Sequence, residues 1–138
     1  MRFLLDTCVL SDGAKPDQFG QLARWLDAQP IDDLAIGALA VGELRFGIER
    51  LPRGRKRERL KAWLDGDLLP AFAARTIAID AAVAEAWALL CAAGDEMGRP
   101  LPVVDGLMLA SAQVNGLTFV TRDISDLEGR GVSVLSPY

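Results

Sequence analysis

Residues 3–13 read FLLDTCVLSDG. An apolar run ends on an acid, Asp6, a short polar stretch comes next, and Gly13 closes it. Arg2 to Leu5 reads as a short buried strand. A carboxylate at the end of a buried strand is placed either to cap the next element or to do chemistry at the strand's rim. The rest of the chain separates these two readings.

With 138 residues, about half of them hydrophobic and a quarter charged, the chain has the size and composition of a single well-packed domain, residues 1–138. Its longest uncharged apolar stretch, Leu34 to Gly42, is far short of the roughly 20 residues that cross a bilayer. Asp6 interrupts the first apolar run too early for a signal peptide. These features lead to the expectation of a soluble cytoplasmic protein without membrane partners. Two widely separated cysteines, Cys8 and Cys91, fit free thiols in a reducing compartment.

The chain contains no histidine. Ser-His-Asp and Cys-His catalysis are thereby excluded, as are most zinc sites. Chemistry must rest on carboxylates, hydroxyls, Lys, Arg or bound ions. Net charge is −4, yet seven of the fifteen basic residues lie between Arg50 and Lys61. That run is either a solvated helix face or a phosphate-contacting rim, with Arg53, Arg55, Lys56 and Arg57 the candidates for touching phosphate.

Periodicity predicts helices over about Asp17–Gln29, Ala40–Leu51, Arg53–Ala74 (with Pro70 a break), a helix from an Asp80 N-cap to Gly94, and Val104–Val114. Strands are predicted at Arg2–Leu5, within Leu34–Leu39, at Thr76–Ile79, Leu117–Thr121 and Val132–Leu135. Strands separated by helices predict an α/β fold with a mainly parallel sheet covered on both faces.

In such a sheet ligands bind beyond the carboxyl ends of the strands. Asp6 and Asp123 emerge there if the sheet is parallel. Glu43, read in the first turn of its helix, and Asp105, at the start of its own, sit in the apolar segments ALAVGELRFG and LPVVDGLMLASA. A lone Asp in such places is ordinarily a cap, and Glu43 alone is ordinarily a surface residue. Four such acids in a chain lacking histidine point elsewhere. Packed together they repel one another, and a hard divalent cation such as Mg²⁺ or Mn²⁺ removes the conflict. A metal lowers the pKa of bound water, which supplies a nucleophile for phosphodiester hydrolysis.

The segments LLDTCVLS, GELRFGIERLP, VVDGLMLASA and VTRD, in this order, resemble PIN-domain proteins, above all the toxin ribonucleases of VapBC-type toxin–antitoxin pairs. The resemblance runs through the closing VLSPY. It implies a three-layer α/β/α fold and Mg²⁺- or Mn²⁺-dependent cleavage of RNA, often a structured RNA such as tRNA. It also implies a homodimer and a small DNA-binding antitoxin as partner. Carried over by position, the acidic quartet falls on Asp6, Glu43, Asp105 and Asp123, as metal ligands and catalytic groups, with Thr121 as a supporting hydroxyl. Where the family usually has asparagine this chain has Cys8, a weaker donor and acceptor. A phosphatase of the haloacid-dehalogenase type needs an acid where Cys8 stands, and a receiver domain needs an acid adjacent to Asp6. The remaining alternative is a PIN-like module that binds RNA or protein without cutting. Trp25, Trp63 and Trp87 read as packing residues, and Asp95, Glu96, Asp126 and Glu128 as surface charge.

Overall fold

Phe3, Leu4 and Leu5 are all buried, and the strand they form, β1 (Phe3–Leu5), is the middle strand of five. The computed structural model describes residues 1–138. The other strands are β2 (Leu34–Gly37), β3 (Thr76–Ile77), β4 (Thr118–Val120) and β5 (Val134–Leu135), ordered β3-β2-β1-β4-β5. Every pairing is parallel. Leu5 is level with Ile36 on one side and Val120 on the other, so β1, β2 and β4 end at one height. The chain builds outward from β1 through β2 to β3, then crosses to β4 and β5. The reversal point therefore lies between β1 and β4, where open α/β sheets hold their ligands.

Seven α-helices flank the sheet: α1 (Thr7–Gly13), α2 (Gly20–Asp27), α3 (Ala38–Glu49), α4 (Arg55–Trp63), α5 (Leu69–Phe72), α6 (Ala81–Glu96) and α7 (Val103–Val114). Helices α6 and α7 share the most extensive helix–helix contact, and α1 packs on both α2 and α3. A Cβ at Gly106 would stand 2.9 Å from Trp87 Cδ1, so only glycine lets α7 approach α6 this closely. Asp80 caps α6 as expected, its Oδ1 accepting from Val83 N at 2.9 Å. Trp25, Trp63 and Trp87 pack half-buried against the core.

Three expectations need correction. The polar stretch after Asp6 is a helix, α1, whose Val9 and Leu10 are buried in the core. The long helix expected over Arg53–Ala74 begins at Arg55 and is interrupted by a wide π-type turn at Leu64–Leu68. Pro70 does not end it. Proline has no N–H to donate and its ring crowds the carbonyl four residues back; the wider turn, with Leu69 N bonded to Leu64 O, accommodates it. Leu64, Leu68 and Phe72 consequently stay buried on one side. Finally, α3 starts at Ala38, which puts Glu43 in its second turn rather than its first.

Candidate active site

Asp6 comes directly after β1 and is the N-cap of α1. Its Oδ1 accepts from Thr7 N at 2.8 Å and its Oδ2 accepts from the Thr121 hydroxyl at 2.7 Å. Both Asp6 and Thr121 are fixed by the sheet, because Asp6 N bonds to Val120 O and Thr121 N to Leu135 O. The carboxylate is thus held in one orientation between the exits of β1 and β4. Cys8 Sγ lies 3.7 Å from Asp6 Oδ2 and 3.6 Å from Thr121 Oγ1, long contacts of the weak kind a thiol makes. Burial, then the Asp6 charge, push the Cys8 thiol above its ordinary range, so it stands as a neutral S–H. The Thr7 hydroxyl donates to Glu43 Oε1 at 2.6 Å, which brings α3's acid to the same rim.

Asp105 is in the first turn of α7, whose N-cap is Pro102. It is therefore not the cap residue, and it makes no hydrogen bond within the chain. A helix N-terminus favours its negative charge, but burial, then the charges of Asp6 and Asp126, hold its carboxyl above the usual range. Asp6 and Asp105 therefore feel each other directly. Asp126, expected as surface charge, is exposed, and its charge also reaches Asp105. Asp105 and Asp126 line one cavity of about 320 Å³ with Arg99, Arg130, Pro100 and Pro102. Asp126 lies in the long connection after β4, and no period or motif marks it in the sequence.

Asp123 behaves differently. Its Oδ1 accepts from Ser125 N at 2.9 Å and from the Ser125 hydroxyl at 2.7 Å, and these bonds hold its carboxyl below the usual range. It shapes its own turn. That turn belongs to a connection fastened by two arginines. Arg99 donates to the carbonyls of Glu128, Asp126 and Ser125, and Arg130 to those of Asp126 and Arg99.

The expected quartet is thus only partly assembled. Asp6, Glu43 and Asp105 gather around the exits of β1, β2 and β4, Asp123 is turned into its own loop, and no group of three acids is close enough to enclose an ion. The donor set nevertheless suits a hard divalent cation: all its members are oxygens, and Asp105 carries an unneutralised repulsion with Asp6. Mg²⁺ fits such a pair, because it retains several waters beside one or two carboxylates. The repulsion also bears on stability. Asp105 holds its proton more tightly in the fold than in the unfolded chain. Its ionisation therefore weakens the fold as pH rises from about 4, the ordinary value, through its raised pKa. In chelator, Asp105→Asn will melt above the parent at pH 7 and together with it near pH 3. Coincident melting at both pH values would remove the repulsion.

Beside Glu43 opens a groove of about 540 Å³ whose lining includes Thr7, Lys15, Glu43, Lys56, Arg59 and Trp63. Of the four basic candidates, Lys56 lines it. Arg53 and Arg55 are exposed, Arg53 in the turn before α4. Arg57 is paired with Glu49 and its side chain is only 18% exposed, so it is committed within the chain. Arg59, in the same basic run, takes its place on the groove. Both cysteines are free thiols, and no helix is long and apolar enough to cross a membrane.

Comparison with known proteins agrees with this architecture. The PIN domain family model matches residues 3–126. The chain is 34% identical over 135 residues to the VapC ribonuclease Y4jK of Sinorhizobium fredii, covering 98% of this chain and 96% of that protein. It is 33% identical to Toxin FitB of Neisseria gonorrhoeae, covering 98% and 97%. The crystal structure of FitAcB from Neisseria gonorrhoeae superposes with a TM-score of 0.92 at 32% identity, over 98% of this chain and 97% of that one. With the all-parallel sheet, the acids at its rim and a family match spanning most of the sequence, the chain belongs to the PIN-domain family.

Proposed function

We propose that this protein is a Mg²⁺- or Mn²⁺-dependent endoribonuclease, the toxin of a toxin–antitoxin pair, acting in the cytoplasm on RNA, with structured RNA such as tRNA as the substrate class. The observation that carries this reading is the set of acids at the strand exits, Asp6 held by Thr121 and Glu43 by Thr7, with Asp105 within range of the Asp6 charge, in a chain that has no histidine to serve as a base. The ribonuclease and toxin names of its relatives support both halves. The similarity to FitAB bound to a DNA fragment supports a small DNA-binding antitoxin as partner, and the VapBC resemblance supports a homodimer.

Asp6 and Asp105 would hold the metal, with Glu43 acting on waters around it and Asp123 reaching them only by leaving its bonds to Ser125. When bound, the metal supplies Lewis acidity and a water acidified enough to attack phosphorus. The remaining work is done by the chain. Thr121 and the Thr7 N–H keep both Asp6 oxygens pointed, so no rotamer search precedes binding. Glu43 engages Thr7 through one oxygen, which leaves the other to accept a proton from the attacking water. Lys56 and Arg59 flank Glu43's groove and offset the acids for an incoming polyanion.

Purified protein incubated with total RNA will yield fragments with Mg²⁺ or Mn²⁺ and none with chelator. A second reading, binding without cleavage, is favoured by Cys8, whose long contacts brace Asp6 weakly. RNA retained intact in the presence of either metal would select it.

A further inference from the structure

The acids at the rim repel RNA, and most nearby arginines are already occupied. Arg99 and Arg130 are engaged by carbonyl oxygens of the loop, and Arg57 by Glu49. Arg122 is paired too, but along one edge only. Arg122 lies in sequence between Thr121, which holds Asp6, and Asp123. Its backbone carbonyl is fixed by the Ser136 hydroxyl at 2.7 Å. Its Nη2 donates to Asp12, a carboxylate only 4% exposed on α1. The same Asp12 oxygen accepts from the Tyr138 hydroxyl at 2.8 Å. The guanidinium carbon stands 5.7 Å from the centre of the Phe19 ring and 5.6 Å from that of Tyr138. Those two rings meet edge to face, with centroids 5.9 Å apart.

A buried carboxylate under one edge and two aromatic rings beside it fix this guanidinium. Its Nε and Nη1 lie outside the Asp12 contact, and 54% of the side chain remains exposed. A guanidinium has five N–H donors in a rigid fork matched to phosphate. The group is therefore pre-organised: one side is anchored and the other is open. Asp12 lies one helical turn beyond Cys8 on α1, and Cys8 touches Asp6. Arg122 directly follows Thr121, whose hydroxyl holds Asp6, so the guanidinium is carried on the strand exit beside that acid.

We propose that Arg122 binds a phosphate of the RNA strand adjacent to the one cleaved, and that Asp12, Phe19 and Tyr138 are positioning residues that hold its guanidinium in place. This rests on the nuclease reading. The site so formed recognises any single strand by its backbone, independent of base, and complements the groove beside Glu43.

The test is the salt dependence of RNA binding, measured by fluorescence anisotropy with a short single-stranded oligonucleotide on an Asp105→Asn background. Each phosphate contact to a single strand contributes about 0.7 to the slope of log K against log salt. Arg122→Gln will lower that slope by about 0.7 and weaken binding about tenfold. Arg122→Lys will keep the slope. The double variant Asp12→Asn with Arg122→Gln, which leaves no buried unpaired carboxylate, will show the same loss as Arg122→Gln, so misfolding is not its cause. An unchanged slope in the double variant overturns the proposal. If the wild-type protein still cleaves RNA in that case, only the role of Arg122 falls. If the wild type neither binds nor cleaves RNA, the nuclease reading falls and takes this one with it.

Discussion

Asp6→Asn will lower RNA cleavage by more than about 100-fold while leaving the melting temperature nearly unchanged. Removing groups that merely orient a metal ligand costs about 10- to 100-fold, and Asp6 would be a ligand itself. The substitution is isosteric and keeps an oxygen for the Thr7 N–H, so the cap of α1 survives. The losses are the charge and the acceptor that receives the Thr121 hydroxyl. Loss of cleavage with retained folding separates chemistry from architecture. Cleavage at the parent rate would show that the strand exits are not where RNA is cut.

The second large effect concerns the fold alone. Phe119 is 1% exposed at the middle of β4, in register with Leu4 of β1 and Val134 of β5. Phe119→Ala removes a ring from the sheet's interior and leaves a cavity that short, paired strands cannot close. The expected cost is about 3–5 kcal/mol, a drop in melting temperature on the order of 15 °C for a domain of this size. Denaturant unfolding checks it. A loss under about 1 kcal/mol would mean that β4 is not the packed strand described here.

The α/β alternation is legible in the sequence because the segments around Leu34, Thr76 and Leu117 are apolar and bounded by turn residues, and because Asp80 and Asn115-Gly116 punctuate their helices. Helix α1 is not. TCVLSDG is two turns long, carries β-branched residues and lacks an amphipathic repeat; its conformation is set by Val9 and Leu10 packing into the core and by Asp6 capping from the strand. The π-type turn is equally hidden, since proline in a helical pattern ordinarily reads as a stop. Among the acids, Asp6 and Asp105 are legible from their places at element starts in apolar surroundings, and the structure brings them within each other's field. Motif order singles out Asp123, but its orientation depends on Ser125, two residues on, which no spacing rule reveals. Asp126 and Asp12 depend on tertiary partners, Asp105 for the one and Arg122 and Tyr138 for the other.

The connection between β4 and β5 contains no helix, yet it is laced to the segment leading into α7 by Arg99 and Arg130 through main-chain carbonyls rather than side chains. Such lacing is indifferent to which residues occupy the loop. Ile124 and Glu128 are accordingly free to vary without unfastening it. Arg99 and Arg130, by contrast, hold that wall of the cavity in place whatever side chains it carries.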